Sequence, residues 1–264
     1  MDAEDGFYER LGAGRFLATE ATRGPWDPGA QHAGPPAALL GRAVEERPGG
    51  RADMRLARIT YEILRPVPIG PLEITTSVLR SGRNTEVVEA ALTAGGGSGP
   101  VMLARALRIR VAADPVPAVA PPVLVAPPGE AAPAPFFPVP WERGYHSSVE
   151  ARFTEGAFTE PGPGTCWMRM RVPLVAGEKV RPLDRVLVAA DSANGISAVM
   201  DFGRFVFVNG DLTVHLHRHP AGEWVCVESR TSVDAAGIGL VDARLHDEKG
   251  PIGRVGQSLF VAPR

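Results

Sequence analysis

The sequence has little of what marks several classes of protein. Its 264 residues include only two cysteines, Cys166 and Cys226, which lie far apart in strand-like sequence and predict reduced, packed thiols. No apolar run approaches the length of a transmembrane helix, and the first residues, MDAEDGFYER, lack the basic and apolar stretches of a signal peptide. A formal net charge of −2 gives no electrostatic reason to expect nucleic acid or an anionic membrane as partner. We therefore expect a cytoplasmic protein.

Several catalytic and ligand-binding motifs are also missing. No serine lies in a G-x-S-x-G context, which argues against a serine hydrolase. The glycine-rich residues 95–99 have no helix after them and predict a hairpin tip, not a phosphate-binding loop. His215, His217 and His219 are spaced like metal ligands, but no cysteine or carboxylate accompanies them. We therefore predict no metal and no other cofactor.

Proline, by contrast, is abundant in one stretch of the chain. Residues 111–140 contain ten of the 26 prolines, and such a run can join neither a helix interior nor a central strand. The composition predicts an extended, semi-rigid linker on the surface. This linker divides the chain into residues 1–110 and residues 141–264.

The two parts resemble each other in sequence. Thr60 and Thr213 occupy similar strand-like segments and lie 153 residues apart. The Gly-Pro turns that begin at Gly99 and Gly250 lie 151 residues apart, each between two strand-like runs. The agreement of these two offsets predicts duplication and fusion of one ancestral unit.

Each part has the same order of predicted elements, a helix followed by several strands. The helix-like segments are residues 35–46 and 184–200. In the second part Leu212, Val214 and Leu216 alternate with polar residues, the period-two pattern of a half-buried strand. A helix followed by consecutive hairpins predicts an α+β fold in which an antiparallel sheet packs against the helix.

Short motifs in both parts carry a resemblance to a known family. In the second part they are residues 189–192 (AADS), 211–218 (DLTVHLHR), 222–224 (GEW) and 253–261 (GRVGQSLFV). In the first part, His32-Ala33-Gly34 and Leu64-Arg65-Pro66 fit the same pattern. Together these motifs resemble the bacterial acyl-CoA thioesterase II family and its actinobacterial thioesterase-like relatives. The resemblance spans nearly the whole chain outside the linker. It implies a double hotdog fold, in which two fused repeats each have one long helix packed on an antiparallel β-sheet.

Asp191 is a candidate catalytic residue even without the resemblance. Leu187, Ala190 and Asn194 recur three or four residues apart and form the inward stripe of the second predicted helix, and Asp191 lies at the edge of that stripe. A carboxylate on a core-facing helix surface is costly unless it is hydrogen-bonded or used. An aspartate paired with a nearby backbone donor is the alternative to a catalytic role.

The resemblance implies specific partners for Asp191. The family hydrolyses acyl-CoA with water that an aspartate activates, helped by a threonine or similar polar residue and by a glutamine. These positions fall on Asp191, on Asn209 where the family has threonine, and on Gln257. Asparagine cannot replace a hydroxyl as a proton conduit, but its amide can still hydrogen-bond a water or a carbonyl oxygen. We expect Asn209 and Gln257 to hold the water and the thioester in line while Asp191 accepts the proton.

A second set of candidates could stabilise the oxyanion of thioester hydrolysis. His32, Ala33 and Gly34 precede the first predicted helix and are similar to a His-Gly-Gly sequence at this helix start in other hotdog enzymes. Backbone N–H groups at a helix N-terminus suit an oxyanion, although Gly34 could serve only to shape the turn. Ala106 stands opposite Gln257 in the repeat, so we expect the first part to be degenerate, contributing pocket walls and an oxyanion donor.

The predicted function is hydrolysis of an acyl-CoA or carrier-bound acyl thioester. One alternative is a hotdog hydratase or dehydratase, but those enzymes pair an aspartate with a histidine on one loop-helix, and no histidine lies near Asp191 in the sequence. Another is a non-catalytic acyl-CoA-binding module, which would need the pocket but not Asp191. The sequence leaves open the acyl length, the thiol carrier and whether the chain forms a homo-oligomer.

Overall fold

Strands make up most of the structure, a computed structural model that describes residues 5–97, 99–119 and 125–264. The strands before the proline-rich segment are Tyr8–Gly12 (β1), Arg15–Ala18 (β2), Met54–Ile63 (β3), Pro71–Ser81 (β4), Thr85–Ala94 (β5) and Pro100–Arg110 (β6). The later strands are Ala132–Pro133 (β7), Val149–Ala157 (β8), Glu160–Met170 (β9), Phe205–Asn209 (β10), Asp211–Leu216 (β11), Val225–Val233 (β12), Ile238–Asp247 (β13) and Gly250–Pro263 (β14). The α-helices are Gly34–Glu46 (α1), Tyr145–Ser148 (α2), Pro182–Ala190 (α3) and Ala193–Ile196 (α4). In this described part of the chain, no helix has the length and apolar character needed to cross a membrane.

The strands form one 14-stranded sheet whose paired strands are antiparallel, as predicted. The first part contributes the order β1-β2-β4-β5-β6-β3. The second part contributes β11-β14-β13-β12-β9-β8, with β7 of the proline-rich segment at the edge and β10 also paired to β14. The two parts meet where β3 pairs with β11. Thr60 and Thr213 are direct partners there, and their hydroxyl oxygens lie 3.2 Å apart.

Local sequence patterns account for the main elements. In β11, Leu212, Val214 and Leu216 are buried between less buried polar residues, so the predicted period-two strand is confirmed. Helix α1 begins one residue before the predicted segment, with two prolines in its first turn, where a missing N–H costs nothing.

The prediction of one continuous helix over residues 184–200 is wrong. Helix α3 ends at Ala190, Asp191 is its C-cap, and α4 covers only Ala193–Ile196. Ser192 N–H bonds the carbonyl of Ala189, three residues back, so the helix tightens at this point. The sequence here, Asp-Ser-Ala-Asn-Gly, consists mostly of residues that favour turns and caps over helix interiors.

The proline-rich segment is more integrated than a surface linker. Ala132–Pro133 forms the edge strand β7 beside β8, and the Trp167 indole N–H donates to the carbonyl of Ala126 at 2.8 Å. Phe136 and Phe137 pack against the hydrophobic core. Proline is tolerated in an edge strand, and the apolar side chains between the prolines can be buried against the core. The linker prediction also covers residues 120–124, which lie outside the described residues.

Helices α1 and α3 pack against each other in opposite directions. A Cβ on Gly34 would lie 2.3 Å from the carbonyl oxygen of Val188, near the end of α3. Towards the other end of the pair, Arg42 of α1 binds Asp184 of α3. A glycine is needed at position 34 because only the absence of a side chain allows this close backbone approach. The packing brings the start of α1 beside the end of α3.

Candidate active site

His32 and Asp191 meet where α1 begins and α3 ends. His32 Nδ1 lies 3.1 Å from Asp191 Oδ2, and the two side chains are 14% and 6% exposed. The sequence placed no histidine near Asp191, and the argument built on that spacing is wrong. The contact depends on antiparallel packing of two helices that are distant in sequence.

The second carboxylate oxygen of Asp191 accepts two amide hydrogen bonds. Asn209, the last residue of β10, donates its Nδ2 to Asp191 Oδ1 at 2.7 Å. Gln257 on β14 is almost fully buried and donates its Nε2 to the same oxygen at 3.2 Å. The Gln257 side-chain oxygen in turn accepts the N–H of Asn194 at 3.1 Å. The structure therefore brings Asp191, Asn209 and Gln257 together, with His32 on the other oxygen.

Within its first turn, α1 offers one backbone donor to this cluster. Gly34 is the first residue of α1, and the two residues after it, Pro35 and Pro36, have no N–H. The Gly34 N–H lies 3.1 Å from His32 Nδ1. Ala33 is the N-cap residue between them, and its carbonyl accepts the N–H of Ala37. The prolines thus leave Gly34 as the available donor in the first turn.

Tyr145 of α2 is a further residue of the site, which the sequence did not suggest. Its ring stacks on His32 with centroids 3.7 Å apart and planes within 2°. Its hydroxyl donates to the carbonyl of Val188 at 2.9 Å and lies 2.9 Å from Ser192 Oγ. Burial raises the pKa of Tyr145 far above its ordinary value, so the phenol stays protonated. No periodic pattern marks this residue, since α2 is a single turn after an irregular segment.

Burial also sets the charge of His32. It lowers the pKa of His32 below the ordinary histidine value, against the opposing effect of Asp191. The imidazole is therefore neutral near neutral pH and has a single N–H. All three side chains around Asp191 are then uncharged.

One buried acceptor near the cluster has no partner. Asn194 is 8% exposed, and its Oδ1 is among the buried side-chain atoms without a hydrogen bond in the described residues. Its own N–H binds Gln257, which places Asn194 against the site. A buried acceptor of this kind ordinarily binds a water or a ligand.

Other side chains considered for chemistry lie outside this cluster. Within residues 5–97, 99–119 and 125–264, no group of three or more His, Cys, Asp or Glu side chains is placed to hold a metal ion. Cys166 and Cys226 are free, buried thiols, which confirms the prediction. The chemistry of the site therefore depends on a carboxylate, an imidazole, two amides and a helix N-terminus.

Solved structures with the same architecture identify the fold. A protein from Thermobifida fusca assigned as a thioesterase II superposes with a TM-score of 0.75 at 18% identity, over 98% of this chain and 96% of that one. A hotdog-fold protein of unknown function from Alicyclobacillus acidocaldarius gives 0.71 at 16% identity, over 99% and 97%. The acyl-CoA thioesterase II of Mycobacterium marinum gives 0.69 at 14% identity, over 99% and 97%. The chain thus has a hotdog fold, made mostly of antiparallel sheet.

Family models narrow the class further. The acyl-CoA thioesterase N-terminal domain matches residues 22–109, and the acyl-CoA thioesterase C-terminal domain matches residues 128–261. The chain belongs to the acyl-CoA thioesterase family. It is a thioesterase, and acyl-CoA thioesters are its class of substrate. No curated protein matches the chain significantly.

Proposed function

We propose that the protein hydrolyses acyl-CoA thioesters with a water molecule that Asp191 activates as general base. The observation that carries this proposal is the buried carboxylate of Asp191, which uncharged donors hold from both sides. These contacts orient the carboxylate without neutralising it, and the one lone pair that remains, on Oδ2, can accept a proton from water. The site needs no metal or redox cofactor for this step, because water is the nucleophile and coenzyme A the leaving group.

His32 orients the base and frees the oxyanion donor. Its Nδ1 lies 3.1 Å from both Asp191 Oδ2 and the Gly34 N–H, and it cannot donate to one and accept from the other at once. A hydrogen bond to an ionised acceptor is the stronger. We therefore assign the tautomer in which Nδ1–H faces Asp191, which leaves the Gly34 N–H available to the thioester oxygen.

The start of α1 stabilises the negative charge that develops on the thioester oxygen. Gly34 and Ala33 supply the N–H groups, at the positive end of a helix of 13 residues. Donors fixed in a partly buried site stabilise an oxyanion more than water does, because they need no reorganisation during the reaction. The two prolines that follow keep other donors from competing at this position.

Asn209 can hold the attacking water by a hydrogen bond, which is part of the role that a threonine hydroxyl would have. Because its Nδ2 is held by Asp191 Oδ1 at 2.7 Å, its side-chain oxygen is oriented away as an acceptor for a hydrogen of the attacking water. Gln257 acts on Asp191 alone, since its oxygen is occupied by the Asn194 N–H. The substitution of asparagine for threonine therefore preserves a way of holding the water.

The proposal includes a duplicated chain, with hotdog repeats at residues 1–110 and 141–264 joined by residues 111–140. The strand order β3-β6-β5-β4-β2-β1 corresponds to the order β11-β14-β13-β12-β9-β8, which supports the duplication. In β6, Ala106 pairs with Val88, as Gln257 of β14 pairs with Val241 in β13. An alanine at the position of the glutamine gives the first repeat no donor there, so the chain has one active site, to which the first repeat contributes His32 and Gly34.

Release of free thiol from acyl-CoA tests the function directly. The wild-type protein should release coenzyme A and the free acid from at least one member of a panel that runs from acetyl-CoA to dodecanoyl-CoA. Acyl groups on a carrier protein, offered in parallel, identify the preferred thiol. If no member is turned over above the rate in buffer, the hydrolase proposal fails, and a non-catalytic acyl-CoA-binding module takes its place.

The contact between His32 and Asp191 also favours a second candidate, a hydratase or dehydratase acting on acyl thioesters. An Asp–His pair at 3.1 Å is what such a reaction would use. Enoyl-CoA substrates separate the two functions, because hydration removes the absorbance of the conjugated thioester without releasing coenzyme A. We expect thiol release alone, because both parts of the chain match acyl-CoA thioesterase domains.

A further inference from the structure

A cluster of aromatic rings adjoins the active site. We define the aromatic cluster by its five members, Trp26, Phe137, Phe158, Phe202 and Phe207. The centroid of Phe202 lies 5.3 Å from Trp26, 4.4 Å from Phe137 and 5.3 Å from Phe207, and Phe137 lies 5.3 Å from Phe158. These are ring-contact distances, so the rings themselves fill the space they enclose.

The aromatic cluster touches the site on two sides. Phe207 lies two residues before Asn209 in β10, and residues two apart in a strand share a face. On the other side, a Cβ on Gly195 would lie 3.3 Å from a ring carbon of Phe137 and 3.8 Å from Phe158. Gly195 directly follows Asn194, whose N–H binds Gln257. The aromatic cluster therefore lies beside α4, which carries Asn194, and includes a ring of β10, which carries Asn209.

We propose that the aromatic cluster binds the acyl group of the substrate and that Phe137 limits the acyl length to short chains. This rests on the proposed function, because the acyl group in question is the one whose carbonyl sits at Asp191 and Gly34. An apolar chain gains free energy by leaving water for such a surface. Because the rings leave no space between them, an acyl chain that extends beyond this surface must displace a ring.

Phe137 is the ring best placed to set this limit. Phe207 is fixed in a strand and Phe158 is almost fully buried, whereas Phe137 lies in the segment between β7 and α2 that has no helix or strand. It contacts Trp26, Phe158 and Phe202 and faces Gly195 as well. Trp26 is 53% exposed at the outer side of the aromatic cluster. Removing the Phe137 ring therefore opens a path from the site towards the surface.

Two substitutions should change the acyl preference in opposite directions. Phe137→Ala removes the ring, so the optimum of kcat/KM should move to longer chains, with about a fourfold gain for each methylene newly buried. Gly195→Ala adds a methyl against Phe137, so the optimum should move to shorter chains. Phe260→Ala is the matched control, since this ring is 62% exposed and belongs to no part of the aromatic cluster.

The experiment measures kcat/KM for acetyl-, butanoyl-, hexanoyl-, octanoyl- and dodecanoyl-CoA with wild type and the three variants. We expect a short-chain optimum in wild type and in Phe260→Ala. A dodecanoyl optimum in wild type overturns the inference, and so does an unchanged length profile in a folded Phe137→Ala. Circular dichroism establishes folding, and if Phe137→Ala does not fold, an unchanged profile in Gly195→Ala overturns it equally.

A binding measurement separates this inference from the proposed function. If wild type hydrolyses no member of the panel, the function fails, but calorimetric titration with the same acyl-CoAs still tests the aromatic cluster. Phe137→Ala should then bind the longer members more tightly than wild type does. Affinities that do not change with the substitution overturn the inference.

Discussion

The two ends of the α1–α3 pair each bury an aspartate, and the two carboxylates have different partners. At one end, Asp184 accepts a hydrogen bond from Arg42 at 2.5 Å and another from the N–H of Arg181 at 3.0 Å. At the other end, Asp191 is held by His32, Asn209 and Gln257. Their side chains are 1% and 6% exposed, so burial does not distinguish them.

The charge of the partner distinguishes Asp184 from Asp191, the proposed general base. Arginine is always protonated, so Asp184 has a permanent counter-ion. Asp191 has a neutral imidazole and two amides, which fix its direction and leave its negative charge uncompensated. A buried carboxylate held in this way is costly for the fold and useful for proton transfer.

The largest effect on stability should come from removing the ion pair between Arg42 and Asp184. Arg42→Met leaves Asp184 buried without its counter-ion, so the free energy of unfolding should fall by about 3–5 kcal/mol. Urea denaturation measures this, and kcat of the folded fraction should stay near that of wild type. Arg10→Met is the control, because the Arg10–Glu178 pair is partly exposed and should contribute about 1 kcal/mol or less. Equal losses in both variants would contradict the contrast between the two ends.

A methyl group added to Gly34, at the end of the helix pair where Asp191 lies, should lower kcat. In Gly34→Ala the Cβ would meet the Val188 carbonyl, so the oxyanion donor must move, and a displacement of about 1 Å costs about 10²-fold in kcat. Gly41→Ala is the matched control in the same helix, because its Cβ would meet the flexible side chain of Leu187 and not the backbone. It should cost stability and leave kcat within a few-fold. Equal kcat values for the two variants would remove Gly34 from the oxyanion site.

A smaller effect is expected from Asn209. Asn209→Ala loses the hydrogen bond to Asp191. Because this bond is to a charged group, its loss should lower kcat by about tenfold. KM should change little, because the group acts mainly in the transition state. Asn209→Thr should retain or raise the rate. Wild-type kinetics in Asn209→Ala would make Asn209 only a turn residue before β11.

The smallest effect is the pH dependence that His32 causes. Its pKa in the fold is lowered from about 6.5, so kcat/KM should hold from neutral pH to below about pH 6.5 and fall only at more acidic pH. The unfolded chain takes up the proton first, so the free energy of unfolding should also decrease as pH falls below about 6.5. Comparison with His32→Gln, in urea denaturation at several pH values, isolates this contribution. A kinetic inflection above about pH 6.5 would contradict the neutral imidazole.

Patterns that are local in the chain predicted much of the fold. The alternation around Val214 and the apolar segment of α1 each depend on the period of a single element, and both are confirmed. The pairing of Thr60 with Thr213, by contrast, is a contact that the repeat offset did not predict. The resemblance to the acyl-CoA thioesterase II family implied Asp191, Asn209 and Gln257, which the structure places in contact.

Contacts between distant elements could not be read from the same patterns. His32 reaches Asp191 only because α1 and α3 pack in opposite directions with Gly34 against Val188. Tyr145 lies on a four-residue helix, too short to show a period. The continuous helix expected over residues 184–200 ends at Ala190, because turn-favouring residues and the contacts of Asp191 outweigh the apolar stripe.

Replacing each buried aspartate by asparagine tests the central claim most directly. Asp191→Asn can keep its hydrogen bonds to Asn209 and Gln257 through the amide oxygen, but it cannot accept a proton from water. Release of coenzyme A should fall by about 10²-fold or more, with a melting temperature that changes little or rises. Asp184→Asn should lower the melting temperature and leave kcat near that of wild type. If folded Asp191→Asn releases coenzyme A at the wild-type rate, another group is the base and the account is wrong.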